Sequence, residues 1–255
     1  MKLILDYINC FYQIHGQGNP VMLLHGLALD GTIWHETAKL YGDQAQFIIP
    51  DLRGHGKTEN GQANGSLEQI ATDLLKLADH LQLDRFILGG HSMGGYIALA
   101  IAEKYPERLD GLIMITSNAR ADAPEKKESR LMEAEQALRH GSRFIAESMA
   151  PKLSNSANIQ QLSYEIINKT SPEGFANVQR AIAARPNRLN VLRELPVPLL
   201  AIAGMEDQLM KPEVALEMAE ASGTGKSVIL PGVGHMPMLE APHTLGALIV
   251  STLLK

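Results

Sequence analysis

The stretch Phe86-Ile87-Leu88-Gly89-Gly90-His91-Ser92-Met93-Gly94-Gly95-Tyr96 decides how this chain is read. An apolar run ends in glycines, a serine follows, and a helical pattern opens directly behind it. A serine on so tight a strand-to-helix turn is held in a strained backbone and projects its hydroxyl clear of the sheet. The flanking glycines are needed because side chains there would meet neighbouring backbone. The serine also sits at a helix N-terminus, where backbone N–H groups favour developing negative charge.

Outward from this turn, short apolar runs alternate with longer amphipathic segments, as in a mostly parallel sheet flanked by helices. Candidate strands are 3–8, 10–15, 21–24, 47–50, 85–88, 111–116, 199–203 and 226–230. The first two, split around Asn9, read as an antiparallel edge pair. The others read as buried central strands, because their apolar residues run on without alternating. Helices are expected at 66–81, with Ser66 as N-cap and Gln69 at the capping-box position, at 93–105, and at 242–254. Residues 118–190 hold no strand pattern, only helical stretches at 125–140, 142–149, 159–169 and 173–184. This predicts an α/β core of residues 1–117 and 191–255, interrupted by an all-helical cap at 118–190. The charge run Glu125-Lys126-Lys127-Glu128 in that insertion reads as a solvated helix face.

Composition excludes several classes. A single cysteine, Cys10, cannot form an internal disulfide. A net charge of −5 without a Lys/Arg-rich run argues against nucleic acid as partner. An apolar share of 45% with 20% charged residues excludes intrinsic disorder. No run approaches the roughly 18 apolar residues of a membrane helix, and the first residues lack the apolar core of a secretory signal. A cytoplasmic location is the expectation.

A serine hydroxyl is a weak nucleophile; it needs a base, itself oriented by a carboxylate. His235, in Gly232-Val233-Gly234-His235-Met236-Pro237 between the last strand and the last helix, is the expected base among nine histidines. The loop after 199–203 offers two carboxylates, Glu206 and Asp207. Leu23-Leu24-His25-Gly26-Leu27 ends another strand, and the amides of Leu27 and Met93 are candidates for an oxyanion hole, with His25 as a structural brace. Asp51, Arg53 and His55 on one turn read as a hydrogen-bonded brace. Trp34, Met210 and Met236 are candidate substrate-binding residues, alongside Met93 and Met238. No spacing suggests a metal site, the G-x-G-x-x-G spacing is absent, and no cofactor is implied.

With these residues in place, the chain resembles the α/β-hydrolase fold superfamily, in its capped, esterase-like branch. The resemblance rests on His25-Gly26, the turn from Asp51 to Thr58, the elbow at Ser92, Asp207 and His235, and covers roughly residues 3–117 and 186–255. It implies a triad of Ser92, Asp207 and His235, because the second carboxylate after the glycine normally faces the histidine in this fold. It also implies that the 51–58 turn is structural. The expected function is hydrolysis of small carboxylic esters, with short acyl chains preferred. The same triad serves lactone, thioester and carbon–carbon hydrolysis and cofactor-free perhydrolysis. His91 weakens the carbon–carbon option, since those enzymes often carry Asn before the nucleophile. A small-molecule sensor with weak hydrolysis is the alternative of another class.

Overall fold

The computed structural model describes residues 1–5, 8–61 and 65–253. Eight strands form one sheet: β1 (Lys2–Leu5), β2 (Ile8–His15), β3 (Pro20–Leu24), β4 (Gln46–Pro50), β5 (Phe86–His91), β6 (Leu109–Ile115), β7 (Leu199–Gly204) and β8 (Gly225–Leu230). Their order is β1-β2-β4-β3-β5-β6-β7-β8. The pairs β1–β2 and β2–β4 are antiparallel and all the others parallel.

The uninterrupted apolar runs follow from burial on both faces. Within β3, Val21 and Leu23 enter one core and Met22 and Leu24 the other. In β6, Ile113 and Ile115 oppose Leu112 and Met114 in the same way. Successive side chains point to opposite faces, so a strand covered on both sides must be apolar throughout. One face is covered by α2 (Leu67–His80), α3 (Met93–Lys104), α7 (Leu189–Glu194) and α8 (Glu213–Ala221). The other carries α1 (His35–Tyr41), the short α9 (Pro237–Glu240) and α10 (Pro242–Leu253). α4 (Pro124–Leu153), α5 (Ala157–Ile167) and α6 (Pro172–Ala184) form a helical insertion between β6 and β7.

Three expectations need correction. Asn9 does not divide the first two strands: it lies inside β2 opposite Ile4, and its side-chain amide and backbone N–H both donate to Glu59, at 2.6 and 3.0 Å. Asp6 and Tyr7, which the expected 3–8 strand included, lie outside the described residues, as does Leu254 of the expected last helix. β8 is not a fully buried central strand; it is the free edge beyond β7, and mostly half-buried. Gln69 completes only half of a capping box. Ser66 Oγ accepts from Gln69 N at 3.1 Å, but the Gln69 amide reaches forward to Asp73 instead of back to the cap.

α4 is two helical arms joined at Gly141, whose φ of 79° and ψ of −174° leave the helical region. The break matches the separate 125–140 and 142–149 stretches expected. A β-carbon would meet nothing within 4 Å there, so the backbone conformation alone calls for glycine. No helix among the described residues is long and apolar enough to cross a membrane.

Candidate active site

The direction of chain progression reverses between β3 and β5, which lie side by side with Leu24 opposite Gly90. A crevice forms beyond the carboxyl ends of strands at such a point, and the loops after β3 and β5 carry the two expected halves of the site. Ser92 follows β5 directly, with φ 50° and ψ −113°. Its N–H donates to Ile115 O at 2.9 Å, and its carbonyl accepts from Ser117 Oγ at 2.7 Å. The strain is shared: Ala28 after β3 (φ 59°) and Thr116 after β6 (φ 43°) also take left-handed backbone. Such conformations persist only where surrounding structure enforces them, and they cluster at functional sites. The glycines around Ser92 are required by contact. A β-carbon at Gly90 would lie 2.3 Å from the carbonyl carbon of Gly94, and one at Gly94 would lie 2.7 Å from Leu24 O.

His235 faces the same cavity as Ser92. Its Nδ1 lies 2.7 Å from Asp207 Oδ2, and both side chains are shielded from solvent. The other Asp207 oxygen accepts from the N–H groups of Leu209 and Met210, at 2.8 and 3.0 Å. Glu206 points away: it is exposed and accepts from Asn155 at 2.9 Å. With Nδ1 engaged by a carboxylate, His235 presents Nε2 as its free ring nitrogen.

The backbone N–H groups of Leu27 and Met93 carry no hydrogen bond to another described residue. Leu27 sits on a loop bolted in place by His25. The His25 Nδ1–H donates to Gly26 O at 2.8 Å, and Nε2 accepts from Leu52 N at 2.9 Å. Burial pushes His25 down to about 4, so it stays neutral and keeps its acceptor. The neighbouring turn is a brace. Asp51 accepts from Gly31 N and Lys57 N, at 2.9 and 2.8 Å, and Arg53 pairs with Asp73 through two bonds. His55, pushed down to about 3 by burial, stacks obliquely 5.4 Å from His25.

The cavity has a volume of about 410 Å³. Leu27, Ser92, Met93 and His235 lie in its wall on the sheet side, and the two arms of α4 roof it. Met210 lines it as expected. Trp34, Met236 and Met238 do not: all three are fully buried in the core that includes residues of α1 and α10, and absent from the cavity wall. Closeness in sequence to the site says nothing about which way a side chain points. Among the described residues, no group of three His, Cys, Asp or Glu is placed to hold a metal ion.

The sequence pattern of one family, described as the alpha/beta hydrolase fold, matches residues 19–242. The chain belongs to this family. Among α/β-hydrolases of known structure, it is similar to a thermophilic esterase from Thermogutta terrifontis with malate bound. The identity is 36%, the TM-score 0.93, and 98% of this chain and 96% of that one are covered. It also superposes on an enol-lactonase from Burkholderia xenovorans LB400 with a TM-score of 0.90 over the full length of both, at 22% identity. A pimeloyl-(acyl-carrier protein) methyl ester esterase of Legionella pneumophila (strain Paris) is 30% identical over 241 residues, which is 93% of this chain and 95% of that protein.

The support that Glu240, His91 and Thr116 give to the His235 loop of this α/β-hydrolase escaped the sequence reading. Glu240 accepts from Gly234 N at 2.8 Å and Met236 N at 3.0 Å, gripping the backbone on either side of His235. The Nε2–H of His91 donates to the His235 carbonyl at 2.9 Å, and Thr116 Oγ1 donates to the same oxygen at 3.2 Å. Burial, then the neighbouring His235, hold His91 well below the ordinary histidine value, which keeps its ring neutral. His235 N donates to Leu153 O at 3.0 Å, joining His235 to the end of α4.

Proposed function

We propose that this chain is a serine hydrolase of small carboxylic esters. The observation that carries the reading is His235, hydrogen-bonded through Nδ1 to buried Asp207 and sharing a cavity with Ser92 on its strained turn. Ser92 Oγ attacks the ester carbonyl carbon while His235 Nε2 takes the hydroxyl proton. The carbonyl oxygen becomes an oxyanion and accepts hydrogen bonds from the amides of Leu27 and Met93. The tetrahedral species collapses, the carbon–oxygen bond to the alcohol breaks, and His235 returns the proton to that alcohol. Water, deprotonated by His235, then attacks the acyl-enzyme and frees the acid and Ser92. Asp207 holds the imidazole in the Nδ1–H tautomer and stabilises its charged form.

Residues 118–190, as a cap over Ser92, would limit the acyl chain to what the cavity encloses. Relatives named as esterases favour ester chemistry over the sensor reading. Turnover of p-nitrophenyl acetate and butyrate, and of a lactone panel, by the native protein against Ser92→Ala tests the proposal. Loss of turnover in the variant is expected. Equal rates would overturn it.

A further inference from the structure

The two arms of α4 line the cavity with different chemistry. The arm after Gly141 is mainly apolar there, with Phe144, Ile145, Met149 and Leu153 beside Ser148 and Lys152. The arm before it contributes one apolar side chain, Met132, among polar ones: Lys126, Ser129, Arg130, Glu133 and Gln136. With Lys152, three cations face one carboxylate across this wall, in a chain whose net charge is −5. Lys126 belongs to the charge run expected as a solvated helix face; it is exposed, and it also lines the cavity mouth.

Arg130 is the built part of this wall. Its side chain is 13% exposed and fixed from behind: Nε is bonded to Asp122 at 2.5 Å, and Nη1 donates to Gln179 Oε1 at 2.9 Å. Gln179 is almost fully buried and donates in turn to Glu133 at 2.6 Å. The other Glu133 oxygen accepts from Ser129, so both are engaged by neutral donors. Asp122 is also held by Arg185 through two bonds at 2.8 Å. Two guanidiniums thus share one carboxylate. The Nη2 of Arg130 has no hydrogen-bond partner among the described residues. A guanidinium with one free nitrogen, immobilised in a largely apolar cavity, is suited to a carboxylate oxygen. Exposed Lys126 and Lys152 add little direct binding energy but steer an anion inward.

We propose that the substrate is an ester that also carries a free carboxylate, anchored by Arg130 at the end remote from the bond cleaved. This rests on the ester-hydrolase reading of the same cavity. The test compares ethyl hydrogen glutarate with its uncharged counterpart, ethyl glutaramate, by acid release in a pH-stat. The native protein should prefer the anion about tenfold in kcat/KM. The preference should lie in KM, shrink as salt is added, and collapse in Arg130→Gln. Should that variant fail to fold, the salt dependence of the native preference and its reduction in Lys126→Gln/Lys152→Gln decide. An equal or better rate on the amide overturns the proposal and leaves the ester reading standing. If neither compound nor p-nitrophenyl butyrate is hydrolysed, the ester reading falls. Calorimetry with glutarate then decides: salt-sensitive binding upholds the anion site, and no binding overturns it.

Discussion

Glu240 holds His235 from both sides: its two carboxylate oxygens accept the N–H groups of Gly234 and Met236, which flank the histidine. Neither oxygen is hydrogen-bonded to the imidazole ring, so on the proposed mechanism Glu240 would position His235 without joining the chemistry. A displacement of about 1 Å can cost 10²-fold in rate. Glu240→Ala should therefore lower kcat on p-nitrophenyl butyrate by roughly 10- to 100-fold with KM little changed. Glu240→Gln, which keeps one acceptor oxygen, should fall between. Native kcat in Glu240→Ala would show that the loop holds itself.

The two neighbouring carboxylates should behave oppositely. Asp207→Asn should reduce kcat by about 10⁴, because an amide facing Nδ1 favours the wrong imidazole tautomer. Glu206→Gln alters only an exposed bond to Asn155 and should stay within about twofold of native. Steady-state kinetics of the two variants decide between them, and a reversed pattern would move the acid role to Glu206.

Acid should destabilise the fold through its buried histidines. In the unfolded chain these groups take up protons as pH falls through about 6.5. Folded, His25 resists protonation down to about 4 and His55 down to about 3, both because of burial. The unfolded state thus binds more protons across this interval, so stability is full above pH 6.5 and is lost progressively toward 4. At most, His25 accounts for about 3 kcal/mol and His55 for about 5 kcal/mol, the latter reached only near pH 3. Thermal unfolding should show a Tm that is level from pH 7 to 8 and falls steeply below 6.5. A Tm unchanged down to pH 4.5 would contradict this.

Crowding at the elbow predicts a sharp contrast among glycines. A methyl at Gly94 would press on Leu24 O and His25 O, at 2.7 and 2.9 Å. Gly94→Ala should cost about 3 kcal/mol, seen as a Tm lower by roughly 6–12 °C, with activity lost. Gly223→Ala meets nothing within 4 Å and should be silent in both measurements.

The parts of this molecule legible in sequence are those where local spacing dictates geometry. A serine between glycines says little alone, but an apolar run before it and a helical pattern behind it together point to such a turn. The continuous runs at 21–24 and 111–116 imply strands covered on both faces. The choice between Glu206 and Asp207 was open on the residues alone, because adjacent side chains on a loop can face either way. Trp34 and Met236 were misplaced for a related reason: both sit beside the site in sequence and turn into the core beneath it. Nothing local marks the bond from His91 to the His235 carbonyl, which joins residues 144 apart. Nor does composition show that β8 ends the sheet, since its apolar run resembles that of a central strand.

The central claim is that Ser92 is the nucleophile, and covalent labelling tests it most directly. A fluorophosphonate incubated with the native protein should add one group, mapped by peptide mass spectrometry to the peptide carrying Ser92. Ser92→Ala, folded by its circular dichroism, should take up none. Labelling at another serine, or equal labelling of the variant, would contradict the account.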